Sequence, residues 1–250
     1  MQVGIEFNLD RDVGSLYVIA GLPGMGLSGK QAVDYLVKSL DVDKIGSIKC
    51  DFLNPPAIST LNGVVDDMPV ELFNFYYTVK NDKNIILFTG NVQPLSAEWQ
   101  HIMAKSVVDT LNGYDVSAIF TLAATPIEYY KYDVAVYGVA TSRDFLNELI
   151  SYGVIPMEGE GVISGMNGLI IGYAKQYRYR GAVLMAETFL RTSQDVIAPY
   201  ALLKTISKIL KLDMDLKELE ERVNLFHREY LKYMKKEAPE KKDRGLGYIS

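Results

Sequence analysis

LYVIAGLPGMGLSGKQAVDYL, residues 16–36, decides the fold. Its first six residues, ending at Gly21, are an apolar run of strand length, and Pro23 and Gly24 then break it. Beyond them the apolar positions recur every three or four residues, which predicts a helix over 26–39. A strand turning sharply into a helix is the first half of a βαβ unit, and such units build a largely parallel sheet with helices on its faces.

Working outward, the same alternation continues. IGSIKCDF (45–52) and NIILFTG (84–90) read as strands, and Trp99, Ile102, Met103, Val107 and Leu111 share one face of a helix over 96–111, with His101 and Lys105 opposite. Strands are expected at VSAIFTLA (116–123), before a loop opening at Thr125-Pro126, and at VAVYGVA (134–140) and GAVLMAE (181–187). Helices are expected over 143–152, 166–178, 198–211 and 215–235. Residues 53–81 interrupt the rhythm with Pro55-Pro56, Asn62-Gly63, Asp66-Asp67 and Pro69, and read as an antiparallel excursion off the main sheet.

Leading into and along the last helix, Leu212, Leu216, Leu219, Val223, Phe226, Tyr230 and Tyr233 form a seam, suited to docking on the parent domain or to self-association. The stretch after it, KKEAPEKKDRGLGYIS, mixes charge with Pro and Gly and cannot build a core. Residues 1–235 are therefore expected to form one α/β domain and residues 236–250 a flexible tail.

Composition narrows the classes of function. The chain has 250 residues, 48% hydrophobic and 23% charged, with net charge −5. A chain this long buries a sufficient core without disulfides or a structural metal. One cysteine, Cys50, cannot make an internal bridge or a multi-cysteine metal site. The acidic balance and short basic clusters argue against nucleic acid, and no apolar run is long enough to span a bilayer. A cytoplasmic location is expected. Tyrosine, at 17 residues, crowds into 72–79, 128–138 and 176–180, where strand packing and an interface are both open readings.

The turn after the first strand is the main candidate for chemistry. Gly24, Gly26 and Gly29 satisfy G-x-G-x-x-G, with Asp51 near the place of a ribose-binding acid. Gly24, Gly29 and Lys30 also approach a phosphate-binding loop, but Gln31 stands where a magnesium-holding Ser or Thr belongs. These residues are either an anion-binding turn or glycines demanded by close helix–sheet contact. His101 and His227, the only histidines, read as solvated helix residues. The pairs Asp66-Asp67 and Glu158/Glu160 read as turn acids, so no catalytic or metal-binding constellation is expected.

GLPGMGLSGKQAVDYL (21–36), GNVQP (90–94), TLAATP (121–126), GVISGMNGLIIGYA (161–174) and AET (186–188), in that order, resemble the proteasome assembly chaperone 2 family. The resemblance implies a three-layer α/β/α fold related to nucleoside phosphorylases, with a mostly parallel central sheet and no enzymatic activity. It implies no cofactor, assembly into a homo-oligomer, and binding to the α-ring of the proteasome core particle. Members of such a family dock through a hydrophobic–tyrosine–any-residue tail. Here the tail ends Tyr248-Ile249-Ser250, a shifted register in which Leu246, Tyr248, Ile249 and Ser250 are the expected partner-binding residues. The alternative is an enzyme or sensor holding a nucleotide or phosphate at the Gly24–Gly29 turn.

Overall fold

The computed structural model describes residues 3–49, 60–65, 71–189 and 195–237. Cys50, Asp51, Asp66-Asp67 and the terminal Leu246, Tyr248, Ile249 and Ser250 lie outside the described residues. The chain divides into two compact units, residues 1–214 and 215–250.

The first unit is built on a nine-stranded sheet. Its strands are β1 (Gly4–Phe7), β2 (Leu16–Gly21), β3 (Asp43–Lys49), β6 (Glu71–Lys80), β7 (Lys83–Gly90), β8 (Val116–Ile127), β9 (Val136–Ala140), β10 (Ile155–Pro156) and β11 (Gly181–Phe189). A separate hairpin pairs β4 (Thr60–Leu61) with β5 (Val64–Val65). The order across the sheet is β1-β3-β6-β7-β2-β8-β11-β9-β10. Its centre, β7-β2-β8-β11, is parallel. β6, β3 and β1 add antiparallel strands on one side, and β9 runs antiparallel to β11 on the other.

Helices cover both faces because the central strands are apolar on both, as a parallel sheet requires. Leu16, Val18 and Ala20 of β2 face a core shared with Met103 and Val107 of α2 (Ala97–Asp109) and Ile170 of α4 (Met166–Gln176). The alternate residues Ile19 and Phe120 bury toward the opposite layer. That layer holds α1 (Ser28–Ser39), α3 (Arg143–Ile150) and α5 (Ile197–Leu210). α1 and α5 pack on each other, and Phe145 of α3 sets its ring 5.9 Å from that of Phe120. Ser96 and Ser142 cap α2 and α3, their side chains accepting from the Trp99 and Phe145 amides.

Two expectations need correction, and one open reading is resolved. Within residues 53–81, β6 joins the main sheet, and among the described residues only the small β4–β5 hairpin stands apart from it. No loop opens at Thr125-Pro126, since β8 stays paired with β11 to Ile127. Ile119 donates its N–H to Arg180, toward β11, so by alternation Pro126 points to the other side. There β2 has already ended at Gly21, opposite Leu122, and the missing N–H of proline costs nothing. The tyrosine-rich stretch 72–79 is sheet packing: Phe73 and Phe75 are buried, and the Tyr77 hydroxyl donates to Asn84 at 2.6 Å.

The second unit contains α6 (Lys217–Glu237), with Glu218 and Glu220 in its first turn, where the helix dipole favours acid. Phe226 and Tyr230, one turn apart, stack with ring centroids 6.5 Å apart. Leu225, Leu231, Tyr233 and Met234 are exposed along it.

Candidate functional site

The glycine turn is shaped by contact. A β-carbon on residue 29 would lie 1.9 Å from the Leu122 carbonyl oxygen, so Gly29 lets α1 rest directly on β8. Gly26 has φ +59°, and a β-carbon there would meet the Thr188 hydroxyl at 2.8 Å. Gly24 has extended backbone and no such neighbour, its closest contact being the Leu22 oxygen at 3.9 Å. Lys30 pairs with Asp34, one turn further along α1, at 2.5 Å. Asp34 also accepts from the Thr89 hydroxyl at 3.0 Å. Gln31 donates back to the Gly26 carbonyl at 3.0 Å.

Asp195 fastens this turn to two distant segments. One carboxylate oxygen accepts from the Thr188 hydroxyl at 2.6 Å, and the other from the Ile197 and Ala198 amides, at 2.7 and 3.3 Å, at the start of α5. Its own amide donates to the Gly26 carbonyl at 3.3 Å. Asp195 and Thr188 are buried, so these bonds satisfy groups that water does not reach.

Beside the turn lies a cleft of about 650 Å³. It opens at the carboxyl ends of the parallel strands, where open α/β sheets place ligands. The turn at Gly24 and Met25, the 93–95 loop, the end of β8 and the 162–165 loop line it. Two amides cross-brace these walls. Gln93 donates to the Pro23 carbonyl and accepts from the Met166 amide at 2.7 Å. Asn167 accepts from the Leu22 amide at 3.3 Å and donates to its carbonyl at 3.4 Å, while the Thr121 hydroxyl bonds the Asn167 carbonyl at 2.8 Å. No described residue lining the cleft is ionisable. Sequence reading did not find this wall; its one signal was that GNVQP and GVISGMNG each set an amide side chain among turn residues.

His101 and Glu187 are not part of the cleft lining. His101 meets the Tyr173 hydroxyl at 3.0 Å on exposed helix surface. Glu187, in the AET motif, is buried beside Lys131 at 2.6 Å and accepts from the Ala135 amide at 2.9 Å. Burial pushes this carboxyl up, but the Lys131 hydrogen bond, the Ala135 amide and the lysine charge outweigh it and hold it below its ordinary value. The pair pins the loop carrying exposed Tyr129 and Tyr132 to β11. Glu158 and Glu160 are exposed, in the short segment between the cleft-lining Met157 and Val162. Among the described residues no three His, Cys, Asp or Glu side chains group as metal ligands, and no helix is long and apolar enough to cross a membrane.

The PAC2 family model matches residues 18–234. Pyrococcus furiosus PbaA, described as an archaeal homolog of proteasome-assembly chaperone, is 27% identical, with TM-score 0.74 over 93% of this chain and 96% of that one. Pyrococcus furiosus PbaB, described as an archaeal proteasome activator, shares the fold with TM-score 0.78 at 24% identity, over 93% of this chain and 98% of that one. The uncharacterized protein MJ1210 of Methanocaldococcus jannaschii is 28% identical over 244 residues, 93% of this chain and 91% of its own length.

Proposed function

This chain belongs to the PAC2 family, and on that footing we propose that it is a non-enzymatic assembly chaperone or adaptor of the proteasome, acting as a homo-oligomer. The observation that carries the reading is the near end-to-end correspondence with PbaA, which spans 93% of this chain. The glycine turn supports it. Gly26 and Gly29 have steric reasons to be glycine, Lys30 is engaged by Asp34, and no described residue lining the adjoining cleft is an acid or a base that could activate the Ser164 or Thr125 hydroxyl there.

Contact with the core-particle α-ring is assigned to Leu246, Tyr248, Ile249 and Ser250. Tyr248 and Ile249 follow a strongly charged stretch, and burying two such side chains in a ring pocket contributes a few kcal/mol, at roughly 25 cal/mol per Å². Several tails on one oligomer add avidity when their spacing matches the ring. The test is retention of purified α-ring by the full chain and by a chain ending at residue 244. Retention by the first alone supports the tail assignment, retention by both moves the contact to the folded body, and retention by neither rejects the proteasome reading.

A further inference from the structure

Four large apolar side chains stand around the mouth of the cleft and are left to solvent. Leu95 is 88% and Val162 95% exposed, and Met25 and Met157 are 46% and 43% exposed. They come from three segments: the turn after β2, the loop before α2 and the loop between β10 and α4. Nothing in packing the body accounts for two branched aliphatic side chains at such exposure around one opening. An apolar rim around a recess is the anatomy of a site that takes an anchor side chain from another protein and shuts water out around it.

Charge identifies the occupant. The wall-forming segments 22–29, 91–100, 123–126 and 157–165 contain Glu98, Glu158 and Glu160 and no lysine or arginine. All three glutamates are exposed. Among the described residues the recess is lined by neutral side chains, and the charged side chains of these four segments are all acidic. The Gln93 and Asn167 side chains are committed to the backbone bonds that hold the walls, so entry depends on apolar contact rather than on amide recognition.

We infer that this cleft docks a peptide segment of a partner protein, with a large apolar side chain inserted between Leu95 and Val162 and lysine or arginine on its flanks beside Glu98, Glu158 and Glu160. The site is distinct from the tail and independent of ring binding. It gives an adaptor a second contact, through which the body holds one protein while the tail engages another.

The test is fluorescence anisotropy of three labelled peptides with the full chain, no proteasome being present. The first carries a central Leu-Tyr-Leu flanked by lysines, the second the same centre flanked by glutamates, and the third the lysine flanks around serines. The first should bind at least about fivefold more tightly than the second, with the difference shrinking as salt rises. The third should not bind. Leu95→Ser combined with Val162→Ser should weaken the first peptide at least about tenfold with an unchanged melting temperature, since both side chains are exposed. Glu158→Gln with Glu160→Gln should weaken the first peptide and spare the second. Equal binding of all three peptides, or rim variants that bind like the parent, would overturn the inference. Loss of oligomer mass in the rim variants with peptide binding intact would make the face a contact between copies, and would overturn it equally.

Discussion

Gly29 rests against the Leu122 carbonyl so closely that a β-carbon on residue 29 would stand 1.9 Å from that oxygen. The contact is backbone against backbone, with no flexible side chain to yield. Gly29→Ala should therefore force α1 off β8 and cost about 3 kcal/mol or more, at or beyond the upper end of overpacking effects. Gly63 has φ +80° but open space around it, so Gly63→Ala should cost only about 1 kcal/mol, the penalty of the backbone conformation alone. Urea denaturation of the two variants would compare them, and equal losses would show that the packing argument is wrong.

NAD and ATP should not bind the glycine turn. Lys30 is held by Asp34, Gln31 occupies the magnesium-ligand position, and Gly26 is crowded by Thr188 and Asp195. Thermal shift at millimolar nucleotide should show less than about 1 kcal/mol of stabilisation. A larger shift would return the turn to the anion-binding reading.

The Glu187 carboxyl sits below its ordinary value in the folded chain despite its burial. A lowered folded value means that its contribution to stability is complete above the ordinary glutamate range and is lost as pH falls through the folded value. Urea midpoints followed from about pH 7 to about pH 3 should fall for the parent chain and fall less for Glu187→Gln, with the two curves converging in acid. Asp109, lowered by the Lys105 and Tyr177 hydrogen bonds against its own burial, supplies part of the slope that remains. Parallel curves would mean that the Lys131–Glu187 pair is not the group responsible.

A chain ending at residue 237 should still be a homo-oligomer, and should remain one at high salt. The exposed Tyr129 and Tyr132, on the loop pinned by Glu187, offer an apolar contact with polar tips that salt does not weaken. Light scattering at micromolar concentration would decide it, a monomer being the contrary result.

Replacing both Tyr248 and Ile249 with alanine should weaken α-ring binding at least about tenfold and leave the melting temperature where it was. Extending the chain beyond Ser250 should act in the same direction by displacing the carboxylate. Binding that survives both changes would assign ring contact to the body.

The central strands were legible because burial on both faces makes each one an unbroken apolar run. β2, β7, β8 and β11 all sit where LYVIAG, NIILFTG, VSAIFTLA and GAVLMAE place them. The edges were not. β1 is GIEF and mostly exposed, and β10 is two residues long, so neither carries a burial pattern that a sequence can display. The antiparallel setting of β9 was equally hidden, since VAVYGVA is as apolar as its parallel neighbours and only pairing to β11 reveals its direction. At the site, the glycines were visible but their steric partners were not: Leu122, Thr188 and Asp195 lie far along the chain from residues 26 and 29. Leu95 and Val162 escaped notice because a single apolar residue within a turn-rich loop has no periodicity to mark it.

The place of β11 between β8 and β9 sets an order of events during synthesis. β8 and β9 are consecutive strands in the chain, yet neither pairs with the other; both pair with β11, which is made later. A ribosome that has released residues 116–140 but not 181–189 therefore presents two apolar strand edges with a gap one strand wide between them. Until β11 fills that gap, any pairing of β8 with β9 would have to open before the sheet could close. The nascent half-protein thus carries the kind of unpaired edge that invites capture by other chains, and it does so until the strand ending at Phe189 has left the ribosome.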